Sequence, residues 1–436
     1  MRDLLLALVL FGAVPFILLR AHLGVYAWAW LSYMNPHRLT WGFAFSFPFN
    51  QMIALVTAAA WLFARRPKRF PWTPATVLWL AFVAWTSVAT LLAIDPAHSA
   101  VEWQRFMKIQ LMILFTLLLI DTPERLRALV WVIVLSLGFY GVKGGLYTLA
   151  TGGRHIVWGP PYSFISGNNE IAFALCICLP LMVWCARVGR GWRRWASAAM
   201  AGLTAVAVLG SYSRGAFLTL GAMGAALCLK SDRRLPIAAG LVALAVAAFL
   251  WMPEAYRARL GTILEYRQDG SAMGRLNAWA FAINLAAERP VTGGGFDTFR
   301  EPLFARWAPD PKDFHDAHSI YFEVLAEQGY VGLLLFLALA AVTFLGLRRV
   351  ERAAAARPGW EWARHLAAMM QVSLVGYGVG GAFLGLAYWD LPYHFIAIAV
   401  ILQGLLRAAP APVPPAATAA VPNPWGRSPV AGGRRG

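Results

Sequence analysis

Long apolar runs separated by short polar and basic clusters dominate this chain. A helix that crosses a bilayer needs about 20 mostly apolar residues, and somewhat fewer where aromatic residues anchor its ends at the interface. Twelve stretches meet that requirement: 4–19, 50–64, 75–94, 106–120, 127–149, 167–186, 195–211, 213–229, 235–252, 319–347, 365–384 and 391–407. They predict an all-α integral membrane protein of about twelve transmembrane helices. The connection after every even-numbered span short of the last is basic: Arg65-Arg66-Pro67-Lys68-Arg69, Arg125 with Arg127, Arg187 to Arg194, Lys230 with Arg233-Arg234, and Arg348 to Arg364. By the positive-inside rule these face the cytoplasm, and both termini then lie on that side. Residues 21–49 hold a further apolar piece, Val25 to Met34, which is too short to cross and is expected to be interfacial or re-entrant. The division that follows is 1–252 (spans 1 to 9), a partly helical outer loop domain at 253–318, spans 10 to 12 at 319–407, and a Pro- and Ala-rich disordered cytoplasmic tail at 408–436.

Composition supports the same class. Of 436 residues 59% are hydrophobic and 14% charged, which excludes an ordinary soluble enzyme. A net charge of +17 would suit a nucleic-acid binder, but the basic residues fall in clusters between spans, so orientation in the membrane accounts for them. The four cysteines, Cys176, Cys178, Cys185 and Cys228, lie inside apolar runs without pairing or metal spacing and behave as small hydrophobes.

Three outer features remain: the turn Gly152 to Asn169, the tight turn Ser211 to Gly215, and the segment Pro253 to Ala317. The last contains a predicted helix from Ala272 to Ala287, ended by Pro290 and Gly293-Gly294-Gly295. No phosphate loop, nucleophile elbow, zinc helix or D-x-D pair occurs in the sequence. The chemistry on offer is cationic. Arg214 stands in a turn between two apolar runs with no acid nearby in sequence, where a guanidinium fork matches phosphate oxygens; an arginine reaching to lipid headgroups is the competing account. Arg275 opens the amphipathic stretch of the long loop. Lys143 lies within a span, flanked by Gly141, Gly144 and Gly145, where an unpaired ammonium is costly. In Phe314-His315-Asp316-Ala317-His318-Ser319, Asp316 is expected to cap the tenth span and to put His318 in its first turn, where the helix dipole keeps the imidazole neutral and able to act as a base. His315 and His318 as a metal pair would lack further ligands.

The order Ser213-Arg214-Gly215, Gly274-Arg275 with Trp279, Pro290 with Gly293 to Phe296, then His318-Ser319 with Tyr321, Glu327, Gly329 and Gly332 resembles the O-antigen ligase and polymerase superfamily of bacterial inner membranes. Gly159-Pro160-Pro161-Tyr162, Asn168-Asn169-Glu170 and Asn35-Pro36-His37-Arg38 look most like its branch of exosortase-associated O-glycosylation ligases. The resemblance implies inverting transfer of an undecaprenyl-diphosphate-linked glycan to an acceptor hydroxyl, in the ligases one of the lipid A core, at the periplasmic face, as a step of lipopolysaccharide biosynthesis. It implies no metal and no cofactor. His318 matches the base and Arg214 and Arg275 the diphosphate-holding arginines, with His315, Lys143, Asn169 and Tyr321 as supporting candidates. The expected partners are the glycan donor, the acceptor and the bilayer, with no nucleic acid, and the protein is expected to be a monomer. A polymerase or a protein O-glycosylation ligase would share the donor chemistry. A transporter or lipid flippase is the reading from another class, and it would predict two related halves and a charged central cavity.

Overall fold

In a computed structural model, residues 1–64, 69–231, 234–251 and 270–409 are described. Among them every regular element is helical: α1 (Arg2–Leu19), α2 (His22–Met34), α3 (Phe49–Phe63), α4 (Pro74–Leu91), α5 (Pro96–Leu119), α6 (Pro123–Ala150), α7 (Asn168–Val188), α8 (Trp192–Leu209), α9 (Arg214–Lys230), α10 (Arg234–Trp251), α11 (Gly270–Glu288), α12 (Glu301–Trp307), α13 (Ile320–Ala355), α14 (Glu361–Gly380) and α15 (Asp390–Ala408). Each of the twelve predicted stretches falls on one of these helices, within a few residues at its ends except that α5 starts ten residues earlier and α13 ends eight residues later than expected. Among the described residues six helices, α1, α4, α6, α7, α13 and α15, are long and apolar enough to cross a membrane. The expected tail beyond Ala409, the residues 252–269 of the long loop, and the basic residues 65–68 and 233 lie outside the described residues.

Several helices start on a capping oxygen followed by proline. Thr73 forms a reciprocal capping box with Thr76 ahead of α4, Asp95 accepts the His98 N–H ahead of α5, and Thr122 accepts the Arg125 N–H ahead of α6; in each case proline occupies the first turn. This is why α5 begins at Pro96 rather than near 106. Its opening turns carry His98, Glu102 and Arg105, which a search for apolar length passes over.

The segment expected to be interfacial or re-entrant is instead α2, which forms an antiparallel hairpin with α1. The Tyr26 hydroxyl reaches the Arg125 carbonyl at the start of α6 (3.0 Å), while the Tyr140 hydroxyl, farther along α6, bonds the Met34 carbonyl at the end of α2 (2.5 Å). The beginning of α1 is fastened to the chain that leaves α2, with Asp3 accepting the N–H groups of Gly42 (2.9 Å) and Ala44 (3.1 Å). Phe45 in turn packs edge-on against Tyr162 of the 152–169 turn. The N-terminus therefore sits at the end of the bundle that carries the 152–169 turn, whereas α15 ends at the opposite one, beside Arg357. The expectation of both termini on one face fails for this reason. Thirteen residues are too few for a lipid-facing span but enough for a helix enclosed by α3, α5 and α6.

The long α13 is two helices joined at Gly329, whose φ of 67° and ψ of −173° no helix tolerates. The break frees carbonyls, and each is taken up: Gly294 N–H bonds Ala326 O (2.8 Å), Gly295 N–H bonds Glu327 O (3.0 Å) and Trp85 Nε1 bonds Gln328 O (2.9 Å). The triple glycine that ends α11 thus docks on the break. Around it α11 and α12 build a small core of their own from Phe281, Leu285, Phe299, Phe304 and Trp307.

Candidate functional site

The predicted helix 272–287 is α11, and one face of it holds the segment 308–318. Asn277 Nδ2 donates to the carbonyls of Asp310 (2.7 Å) and Asp313 (3.0 Å), and its Oδ1 accepts the Asp310 N–H (3.0 Å). Trp279 Nε1 donates to Ala317 O (2.9 Å), and its indole stacks on Phe322 with ring centroids 4.8 Å apart. Between these anchors the His315 ring lies over Gly274, where a Cβ would come within 2.5 Å of Cε1. A side chain at 274 would displace that ring. Half-buried Arg275 follows Gly274 directly, and His315 Nδ1 is 3.2 Å from Asp313 Oδ1.

The start of α13 differs from expectation. Asp316 does not cap it; its Oδ1 takes the Ala317 N–H (2.8 Å), and Ser319 is the N-cap without a side-chain cap bond. His318 stands ahead of the helix, half-buried, with a left-handed φ of 42°. Such a backbone costs about 1–3 kcal/mol for a residue with a Cβ, and it persists only where the surroundings over-determine it. The determinants are on either side: Trp279 holds Ala317, and the Ile320 N–H bonds Gly381 O (2.8 Å). His315 and His318 do not share a helical face. Among the described residues no group of three metal-ligating side chains is assembled.

The turn between α14 and α15 ties these parts to α9. Tyr321 donates its hydroxyl to Gly378 O (2.7 Å). Phe383 lies against Gly215, 3.5 Å from where its Cβ would be. Half-buried Arg214, first residue of α9 behind the Ser213 cap, immediately precedes Gly215. The preceding turn is pinned to the 152–169 segment, with Val157 N–H on Gly210 O (3.0 Å) and Asn168 Nδ2 on Ser211 O (2.9 Å); Asn169 follows in the first turn of α7. Lys143 is not brought into this group. It borders a separate cavity of about 600 Å³ between α1, α2 and α6, with Arg2 on its rim.

A cavity of about 270 Å³ opens beside Asp316, two residues from His318. Five carboxylates line it: Glu102, Asp297, Asp316, Glu323 and Glu327. Two of them are paired, Glu102 with Arg105 (2.7 Å) and Asp297 with His98 (2.5 Å). Asp95, which caps α5 at this end, is held below the ordinary carboxylate range, first by the His98 N–H and then by Arg300 (3.2 Å). Of the five carboxylates only Glu327 stands in the motif order. Glu323 does not, although two carboxylates one helical turn apart at the head of an apolar helix are a feature that sequence can expose.

Two family comparisons match the chain. Residues 198–337 match the O-antigen ligase family, and residues 1–190 match a family of unknown function (DUF5935). The ligase match spans Arg214, Arg275, His315, His318 and Tyr321. No curated protein matches the chain.

Proposed function

From its membership of the O-antigen ligase superfamily, we propose that this protein is a glycosyltransferase that moves a glycan from an undecaprenyl-diphosphate carrier to an acceptor hydroxyl, that of the lipid A core, with inversion at the anomeric carbon. The carrying observation is that the residues in question share one end of the bundle: Arg275 sits on the helix that fixes the 308–318 segment, and the turn between α14 and α15 meets Gly215, next to Arg214, and Ile320, two residues after His318. In the proposed reaction His318 takes the acceptor proton as the hydroxyl oxygen bonds the anomeric carbon. The carbon–oxygen bond to the diphosphate breaks, and Arg214 and Arg275 neutralise the charge on the departing undecaprenyl diphosphate. A diphosphate is already a good leaving group, so cations and a base suffice for the step.

The proposed setting is the inner membrane of a bacterium, with this end of the bundle facing the periplasm and the basic connections facing the cytoplasm. With α2 counted, alternation along the chain brings α1 in from the outer side and α15 out to the inner side. The test is transfer from a purified undecaprenyl-diphosphate donor to lipid A core in detergent with EDTA present, and product appears without added metal. Loss of product that magnesium or zinc restores would overturn the metal-free step. Offering secreted protein and lipid-linked glycan beside the lipid A core decides among ligase, protein glycosylation and polymerase by product mass.

A further inference from the structure

We infer that the 270 Å³ cavity beside Asp316 is a subsite for a sugar ring of the acceptor, gripped by Glu323 and Glu327 and floored by aromatic rings. The inference rests on the glycosyl-transfer reading and goes beyond it by assigning the acceptor a place. Glu323 and Glu327 each spend one oxygen on a backbone N–H: Glu323 Oε2 on Ala387 (3.3 Å) and Glu327 Oε1 on Asp297 (2.7 Å). Those bonds fix the carboxyl planes. Glu327 is 5% exposed, and its Oε2 makes no hydrogen bond of proper geometry among the described residues; the neighbouring Tyr388 hydroxyl is in the same condition. Glu327 Oε2 and the Tyr388 hydroxyl lie side by side at the cavity wall without a well-formed bond between them, so a ligand hydroxyl placed there can bond both.

A sugar hydroxyl does so, because it donates to a carboxylate and accepts from a phenol. Phe106, Phe164, Phe296 and Tyr388 line the same cavity and offer ring faces to the C–H side of a pyranose. The volume lies just under the roughly 300–1,000 Å³ of sites for drug-sized ligands, which suits a single ring rather than a chain. Position selects which ring: Asp316, on the cavity wall, is two residues from His318, the base proposed to deprotonate the acceptor.

The experiment measures binding of lipid A core oligosaccharide by saturation-transfer NMR, together with separate KM values for donor and acceptor, on the full chain. Glu327→Gln combined with Glu323→Gln keeps both backbone bonds, and Phe164→Ala removes one lining ring, with its contact to Arg105, while leaving both glutamates in place. Each is expected to weaken oligosaccharide binding and raise acceptor KM at least 10-fold while donor KM stays within 2-fold. Unchanged acceptor KM, a rise in donor KM instead, or binding that EDTA abolishes and magnesium restores would each overturn the subsite. If the wild type binds the oligosaccharide but transfers nothing, the glycosyl-transfer reading falls and the subsite stands. If it transfers while the variants keep normal acceptor KM, the reverse holds.

Discussion

At the scale of single residues, the proposed chemistry predicts a division of labour. His318→Ala should lower transfer by about 10²–10⁴-fold, the range a positioned base contributes, with donor binding retained. Arg214→Ala and Arg275→Ala should raise donor KM by about 10–100-fold, in line with the 1.5–3 kcal/mol of a charged hydrogen bond. Near-normal turnover of His318→Ala in a radiolabelled-donor assay would shift the base role to His315. Gly274→Ala probes the support beneath: its methyl group would meet the imidazole of His315 at 2.5 Å, so that ring must swing aside, and if His315 supports the base, turnover should fall with little change in donor affinity. Arg214 and His318 stand out in the sequence as polar residues at breaks between apolar runs, and Arg275 through the motif order. The left-handed backbone of His318 was not, because it arises from two distant anchors, Trp279 on α11 and Gly381 after α14, that no local pattern announces.

At the scale of elements, apolar length finds the start of α4 but passes over those of α5 and α6, which a cap and proline mark ahead of polar opening turns, and the α13 break is hidden because its apolar periodicity continues through Gly329. Any residue other than glycine at that φ of 67° is strained, and a Cβ there would also lie 2.4 Å from the Val291 carbonyl. Gly329→Ala should therefore destabilise the protein by at least about 1–3 kcal/mol and loosen the Gly293-Gly294-Gly295 contact, seen as earlier thermal unfolding in detergent. The α5 cap gives a pH test. Because the folded carboxyl of Asp95 titrates below its ordinary range, its contribution is present in full above that range and is lost as pH falls through the lowered value. Wild type should lose stability on acidification by more than Asp95→Asn does; parallel acid titrations of the two proteins would remove Asp95 from the account.

At the scale of the whole molecule, the helices follow from apolar length alone, but the path of the first two depends on what encloses them. Length measured against lipid gives the wrong answer for a helix such as α2, whose Val25, Trp28, Leu31 and Tyr33 are buried in protein and need not reach across a bilayer. The consequence is a chain that starts at the end bearing the candidate site and finishes at the other. Cysteine labelling checks it, since Cys176, Cys178 and Cys185 are buried and Cys228→Ala removes the remaining half-buried thiol. A cysteine placed ahead of Met1 should react with an impermeant maleimide on intact spheroplasts together with His155→Cys of the 152–169 turn. Ala353→Cys, near the end of α13, should react only after the membrane is opened. Labelling of the N-terminal cysteine in step with Ala353→Cys would break the α1–α2 hairpin, because Asp3 could not then reach Gly42 and Ala44 on the chain beside Tyr162.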